Sequence, residues 1–432
     1  MEKTITKKES SSLATLRTPS DTKIAMVKFS VEVHRLNSPL DQAIYRLYPS
    51  LLLAGAGKYS RLELVDAIKN LGGSIDISVS EGLLHITLRG TAKNFARLLD
   101  LFVLVLTKPN FAAAEIKRVK TLAKNELILQ EEDSRLQAAK GLKNLLYGER
   151  DPRYELSSKN LAKEIGSVKA GDLRAFHKRV LSGFWSVSVL GNRSNVSLLK
   201  QKIESLKKRY PLEKSAESVY EPLDTAGKLR LKSIQSRSNI DFSIGAPLPI
   251  TLRDDDYIPL VFALSVLGTS GFAGRLMSTV REKEGLTYGI YSFPESFVKD
   301  RHGHYRIFTF FTPQNTLKAL TSTFREVRKL YERGVPTKEF ETFKVIFNTK
   351  QTLLRDSVLR QFADLHSFNV NGFDVAEMEE FKERLQTVTR KEVNDVIKKY
   401  LDPKRLSISS AGPVKGLEKE IARFLSRQAK QN

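Results

Sequence analysis

The chain has 432 residues, with 71 lysines and arginines against 49 acidic residues, and no cysteine. This length predicts two domains of about 200 residues. The missing cysteines exclude disulfides, thiol catalysis and cysteine-ligated zinc. The net charge of +22 is compatible with nucleic acid, anionic lipid, an acidic partner or a solvated basic surface, but no nucleic-acid-binding motif accompanies the scattered basic residues. No apolar run reaches the roughly 18–20 residues of a membrane helix, so no membrane span is predicted.

The N-terminal residues 1–20 are polar, and we expect them to be loose. The lysine- and serine-rich stretch Met1–Ser12 lacks the apolar core of a secretory leader, so no signal peptide is expected in the sequence as given. The sequence leaves two compartments open: the periplasm, if a leader was removed, or the cytoplasm.

The first half reads as an α+β domain over residues 21–204. Alternating Val27, Phe29, Val31 and Val33 predict a half-buried strand. Ser60 predicts an N-cap, and Glu81-Gly82 predicts the turn of a β-hairpin. Helices are predicted over residues 39–53, 61–70 and 113–130. Three more are predicted: one that begins at Phe95, one that follows residue 130 and ends near Tyr147, and one that begins near Ala170. A strand at Trp185, Val187 and Val189 closes the domain.

The second half repeats the first. Val168–Leu173 corresponds to Val388–Val393 at an offset of 220, and a short strand ending in Gly191 or Gly412 follows each stretch. Residues 205–230, rich in Lys, Glu, Ser and Pro, predict a linker, which leaves 231–432 as the second domain. We therefore expect an α+β protein of two similar, duplicated domains, each with an antiparallel sheet packed against helices.

The string Val280–Gly289 closely resembles the R-E-x-x-G-L-x-Y signature of short-chain bacterial members of the pitrilysin/insulinase family of zinc peptidases. Further stretches resemble that family in order along the chain: Gly55–Ser60, Leu71–Ile75, Leu267–Leu276 and Gly334–Phe340. The resemblance covers nearly the whole chain and implies the two-domain fold of mitochondrial processing peptidase and insulinase. The glycine-rich stretch Gly268–Gly274 is then either a loop that touches substrate or partner, or a plain helix connection.

In active members of the family, an H-x-x-E-H motif supplies two zinc ligands and the general base. Alignment on Gly55 places this motif over Arg46–Ser50, so Arg46 and Ser50 replace the histidines and Pro49 replaces the base. A guanidinium repels Zn²⁺ and proline has no side-chain base. Glu126, where the distant third ligand falls, is expected to be a relic or a salt-bridge partner on a helix face with Val119 and Leu122.

The histidines offer no replacement site. None of the six (His34, His85, His177, His302, His304 and His366) pairs with another at i, i+4. His302 and His304 are expected to open a polar hairpin. We therefore expect this chain to bind no metal cofactor, and the resemblance implies that zinc is held by a partner subunit.

The resemblance assigns substrate binding to Arg281 and Tyr288. The pattern predicts a helix that ends at an αL cap on Gly285, with Arg281 in its last turn and Tyr288 opening a strand. A guanidinium and a phenol are two strong donors for a peptide carbonyl that becomes an oxyanion. The structural alternative is that Arg281 pairs with a carboxylate such as Glu284 and Tyr288 packs in the strand.

These residues predict a non-catalytic, substrate-binding subunit of a heterodimeric zinc endopeptidase, inactive alone. Its partners would be a peptide substrate and a zinc-motif-bearing paralogue. The first alternative is an inactive scaffold homologue, like the core subunits of respiratory complexes, for which the Arg/Tyr pair would have drifted. The second, suggested by the charge of +22, is a nucleic-acid-binding protein.

Overall fold

The structure, a computed structural model, describes residues 2–33, 38–149, 151–213, 227–270, 273–355 and 357–430. Strands of the first half are β1 Glu2–Lys8, β2 Ser11–Arg17, β3 Ile24–Glu32, β4 Gly55–Ala56, β5 Tyr59–Ser60, β6 Ser74–Ser80, β7 Leu83–Thr91 and β8 Trp185–Gly191. Its helices are α1 Pro39–Leu52, α2 Arg61–Asn70, α3 Phe95–Thr107, α4 Ala113–Glu131, α5 Ser134–Leu146, α6 Ser158–Ser167, α7 Ala170–Ser182 and α8 Arg193–Arg209.

The second half follows the same order of elements. Its strands are β9 Leu229–Ser233, β10 Ile240–Leu248, β11 Ile290–Glu295, β12 Gly303–Phe311 and β13 Ser407–Gly412. Its helices are α9 Tyr257–Leu264, a π-helical segment Met277–Lys283, α10 Thr316–Arg333, α11 Thr337–Arg355, α12 Val358–Val370, α13 Val375–Thr387, α14 Arg390–Tyr400 and α15 Glu418–Lys430.

The duplication is visible in the lengths and order of these elements. The pair α4 and α11 has 19 residues each, and the pair α5 and α12 has 13 residues each. Helices α7 and α14 begin at the predicted offset of 220, and each precedes a strand that ends in Gly191 or Gly412. The predicted α+β fold of two similar halves is therefore confirmed.

Each half contributes one sheet. The first has the order β1-β2-β8-β3-β7-β6 and the second has the order β11-β12-β10-β13-β9. Most neighbours pair antiparallel, as predicted, but β2 pairs parallel with β8 and β13 pairs parallel with β9. Strand β8 lies inside the first sheet, between β2 and β3, and is buried along its whole length.

The expectation that residues 1–20 are loose is wrong for the residues that form β1 and β2. The two strands pair with each other from Glu2–Arg17 to Lys8–Ser11, and β2 is the parallel neighbour of β8. Their polar, threonine- and lysine-rich composition suits an edge hairpin, where charged side chains face solvent. Composition alone does not separate such an edge from a disordered tail.

The chain divides into two compact units, and each unit takes a segment from the opposite half of the sequence. Unit 1 comprises Met1–Leu127, Leu156–Ser218 and Leu354–Glu379, and unit 2 comprises Ile128–Glu155, Val219–Leu353 and Glu380–Asn432. The linear domains predicted over 21–204 and 231–432 miss these exchanged segments, because local patterns do not reveal which sheet a helix covers. Of the predicted linker 205–230, residues 205–209 belong to α8, and 214–226 lie outside the described residues.

In unit 1, the exchanged segment covers the second face of the sheet. Helix α12 packs on β8 and β2, where Phe362 and Leu365 join a buried cluster with Leu16, Met26 and Leu190. The His366 ring lies 2.8 Å from both Ser30 Oγ and Ser188 Oγ. Strand β3, expected to be half-buried, is consequently buried on both faces over most of its length.

In unit 2, the exchanged segment has the same function. Helix α5 packs on β13, β10 and β9. A side chain at Gly141 would meet Ser409 Oγ and Arg230 Nη1, so glycine permits this close approach. Ser134 at the start of α5 donates a 2.5 Å hydrogen bond to Asp241 of β10. No helix among the described residues has both the length and the apolar character needed to span a membrane.

Replacing Gly141 with valine should destabilise unit 2 by about 1–3 kcal/mol, because the added side chain overpacks the contact between α5 and β13. Gly171→Val is the matched control, since nothing lies within 4 Å of a side chain at that helical position. Urea unfolding followed by far-UV circular dichroism measures both variants. Equal stability of the two variants would contradict the close approach.

Unit 1 should lose stability as the pH falls below the ordinary histidine pKa. Burial, with the nearby charges of Lys28 and His85, lowers the pKa of His366 to about 3. The unfolded state therefore takes up a proton from about pH 6.5 downward while the folded state does not, which weakens folding by about 1.4 kcal/mol per pH unit for this group.

Fluorescence of Trp185, the only tryptophan and a buried residue of β8, reports unfolding of unit 1 in urea. The midpoint should fall between pH 7 and pH 5. His366→Gln keeps hydrogen-bonding groups beside the two serines and removes one titrating group. The urea midpoint of this variant should therefore fall less steeply with pH than that of the parent. Identical slopes for the variant and the parent would rule out this role of His366.

Candidate functional site

The residues aligned with the zinc motif come together in one cavity of unit 1. Arg46 and Ser50 lie one helical turn apart on α1, and Glu126 lies near the end of α4. All three line a cavity of about 310 Å³. Val119, Leu122 and Ala123 of α4 form its apolar side, which agrees with the helix face predicted for Glu126.

The charges around this cavity are arranged in ion pairs. Arg46 Nη2 lies 3.2 Å from Glu126 Oε2. Two further arginines line the cavity, and both approach Glu115: Arg118 Nη2 at 2.7 Å and Arg61 Nε at 3.8 Å. The cavity therefore holds three guanidiniums near two carboxylates.

This donor set does not suit zinc. In the alignment with the zinc motif, Arg46 takes the position of one ligand, and its guanidinium pairs with Glu126, which takes the position of another. Helix α1 continues past Pro49 to Leu52, and the proline ring brings no base to the cavity. In the described part of the chain, no group of three or more His, Asp or Glu side chains is arranged to hold a metal ion.

A buried contact on the other face of α1 holds this helix in place. Tyr48 is 1% exposed, and its hydroxyl lies 2.5 Å from Nδ1 of His177 on α7. Burial raises the pKa of the Tyr48 phenol and lowers the pKa of His177 to about 4, so both groups are neutral near pH 7. The orientation of Arg46 and Ser50 thus rests on a neutral hydrogen bond within the core.

His304 lies at the start of β12 in the hairpin with β11, as predicted, but the expected polar position is wrong because His304 is fully buried. Its Nδ1 lies 2.7 Å from the hydroxyl of Tyr147, and its Nε2 lies 3.2 Å from Glu295. Burial alone would raise the pKa of Glu295, but His304 and Arg306 outweigh it and lower the pKa to about 2. His85 and His366 contact serines of unit 1, and His34 lies outside the described residues.

Arg281 and Tyr288 lie on either side of the predicted cap in unit 2. Gly285 has φ of 63°, the Gly285 N–H donates to Arg281 O at 3.0 Å, and the Leu286 N–H donates to Val280 O at 2.9 Å. This is the glycine-ended cap that the sequence predicts, although the preceding turn is wound as a π-helix. Arg281 is half-buried in that turn.

Tyr288 is 84% exposed, whereas Leu286, Thr287, Gly289 and Ile290 around it are buried. Thr309 of β12 donates to Gly289 O at 3.1 Å and fixes the backbone there. The alternative in which Tyr288 packs within a strand therefore does not hold. Glu284, considered as a partner for Arg281, contacts Arg325.

Other residues described around these features were not identified from the sequence. Arg61 and Arg118 line the first cavity, but the sequence places them on different helices and gives no sign that they converge. The i, i+3 spacing of Glu115 and Arg118 was the one sequence feature that could have indicated an ion pair on this helix. In unit 2, Arg275 binds Glu339 through Nε at 2.8 Å, which ties the π-helical segment's start to α11. Gly271 and Phe272 of the glycine-rich stretch lie outside the described residues.

Residues 167–345 match the family model described as "Peptidase M16 inactive domain". This range includes Arg281 and Tyr288. A curated relative, described as "Non-peptidase homolog YmxG" of Helicobacter pylori, is 23% identical over 362 residues. The alignment covers 83% of this chain and 81% of that protein.

Solved structures show the same fold. A peptidase M16 inactive domain from Pseudomonas fluorescens superposes with a TM-score of 0.84 at 20% identity, covering 96% of this chain and 98% of the other. A protease from Helicobacter pylori gives a TM-score of 0.77 at 14% identity, covering 95% and 99%.

The alignment of the zinc motif can be tested by rebuilding the motif. Arg46→His, Pro49→Glu and Ser50→His together should create a zinc site with Glu126, because positions 46, 50 and 126 line one cavity and residues at i and i+4 share a helix face. Isothermal titration calorimetry of the triple variant and of the parent chain measures the gain in zinc affinity. Adding Glu126→Gln should weaken binding about tenfold or more. Tight binding unaffected by that change would show that the alignment is wrong.

Proposed function

Since the chain belongs to the pitrilysin-type (M16) peptidase family as an inactive homologue, we propose that it is the non-catalytic, substrate-binding subunit of a heterodimeric zinc endopeptidase. In this proposal a zinc-motif-bearing paralogue supplies the hydrolytic chemistry. This chain supplies Arg281 and Tyr288, which hold the peptide carbonyl. The cavity at Arg46 has no catalytic role.

The exposure of Tyr288 is the observation that carries the proposal. A phenol that is 84% exposed between buried neighbours gains little from packing within its own chain. Its backbone is fixed by the cap at Gly285 and by Thr309. An outward-facing donor on a fixed backbone suits contact with a molecule outside the chain, because only the two side-chain torsions of the tyrosine have to be ordered on binding.

Arg281 and Tyr288 would act by hydrogen bonding. The guanidinium of Arg281 presents several N–H groups in a planar fork. The phenol donates one hydrogen bond. Donors aimed at a carbonyl oxygen stabilise the negative charge that develops on it during hydrolysis more than they stabilise the ground state.

The test is peptidase activity of the purified chain alone and mixed with a zinc-motif-bearing paralogue from the same source. We expect no activity from the chain alone and activity from the mixture. Arg281→Ala and Tyr288→Phe should each lower kcat of the mixture by about 100-fold, the typical effect of removing one oxyanion donor. A rise in KM alone would indicate uniform substrate binding instead.

Matched controls are Lys283→Ala, an exposed cation in the same turn, and Tyr291→Phe, a phenol on the following strand. Both should retain nearly full activity. If the mixture is active but indifferent to Arg281 and Tyr288, the chain is a scaffold. An inert mixture would count against the peptidase subunit as a whole.

A further inference from the structure

Unit 1 contains a second cavity, of about 670 Å³, on a different face of α4. Lys117, Lys120 and Lys124 line it from α4, and Lys169 and Arg174 line it from the start of α7. We call these five side chains and their cavity the lysine groove. Among the residues that the structure describes, no acidic side chain lines the groove.

The cations of the lysine groove form no ion pair with a carboxylate among the described residues. In the part of the chain that the structure describes, none of the five cations lies within 4.0 Å of a carboxylate. The cavity at Arg46 differs, because Glu126 and Glu115 lie against its arginines. Like charges facing one space repel each other, and a bound anion would relieve that repulsion.

The surroundings of Lys120 include one of these like charges. Its Nζ donates to Gly166 O at 2.9 Å, which holds the ammonium in the groove. Burial, followed by the charge of Lys124, lowers the pKa of Lys120, and Asp172 opposes this only in part. Phe111, Ile116 and Val168 form a buried apolar floor.

The spread of the charges indicates the shape of the ligand. From Lys117 to Lys124 the axis of α4 rises by about 10 Å, with Lys169 and Arg174 at the α7 side. Four lysines on flexible stems do not form the compact nest of backbone N–H groups that surrounds a single phosphate. An extended peptide places alternate side chains about 7 Å apart, which matches negative charges spread along such a groove.

We propose that the lysine groove binds an acidic segment of an extended peptide, with carboxylates paired to Lys117, Lys120, Lys124, Lys169 and Arg174 and aliphatic parts on the floor of Phe111, Ile116 and Val168. The groove gives the isolated chain a preference for acidic peptides. This inference concerns unit 1 residues and does not depend on Arg281 or Tyr288. It stands whether or not a zinc-bearing partner exists.

The experiment is fluorescence anisotropy with the full-length chain and a labelled peptide of alternating glutamate and serine. Matched peptides with glutamine or lysine in place of glutamate test the charge. We expect binding of the glutamate peptide only, weakening steeply with added salt because partly exposed charges are screened. Binding of all three peptides, or binding that ignores salt, would overturn the proposal.

Lys120→Gln with Lys124→Gln should weaken binding of the glutamate peptide about tenfold, the sum of two partly exposed ion pairs. Lys69→Gln with Lys93→Gln removes the same charge from two exposed positions elsewhere in unit 1 and is the control. The groove variant should also unfold at no lower urea concentration than the parent, because the lysines repel one another. Equal losses in both double variants would assign binding to net charge and not to the groove.

Competition distinguishes a phosphate ligand from a peptide. Tripolyphosphate and single-stranded DNA, at the same total charge as the peptide, should displace it weakly. Displacement by either at lower concentration than unlabelled glutamate peptide would replace the acidic peptide with a phosphate ligand and overturn the proposal.

Discussion

The second face of each sheet must be covered, and that requirement determines how this chain folds. Strands β3 and β8 carry Ser30 and Ser188 on a face that reads as polar in sequence, yet both residues are nearly or completely inaccessible. Helix α12 covers them, and His366 bonds to both hydroxyls in its neutral form. A buried hydroxyl without a partner is costly, so the face is stable only with this helix in place.

The same constraint explains why each compact unit contains a segment from the opposite half of the sequence. In unit 2, α5 lies against β13 and β10 through Gly141. The equivalent helix of the other half, α12, serves unit 1. Either half of the chain alone would leave one sheet face exposed. Separate folding of residues 21–204 and 231–432, which a linear reading suggests, would therefore expose polar and apolar groups that the exchange buries.

Local features such as helix caps and turns could be predicted from the sequence, because the residues that form them are close together in the chain. Ser60 and Glu63 form a capping box, as their residue types predict. Gly82 takes a positive φ of 75° at the predicted hairpin turn, which glycine favours. The burial of β3 on both faces could not be predicted, because the hydrogen bond between Ser30 and His366 joins residues 336 positions apart. The convergence of Arg46 and Glu126 was expected only through the family resemblance, and Arg61 and Arg118 were missed.

Helix α4 shows how the fold accommodates an arginine at a position that aligns with a zinc ligand. A guanidinium in place of a zinc ligand introduces a charge, and an uncompensated charge near the core would be destabilising. Here Glu126 Oε2 lies 3.2 Å from Arg46 Nη2 and serves as its counter-ion. On the adjoining face of the same helix, no carboxylate of the described residues lies within 4.0 Å of Lys117, Lys120 or Lys124. The ion pair on one face stabilises the fold, whereas the lysines on the other face belong to the groove that we propose binds an acidic peptide.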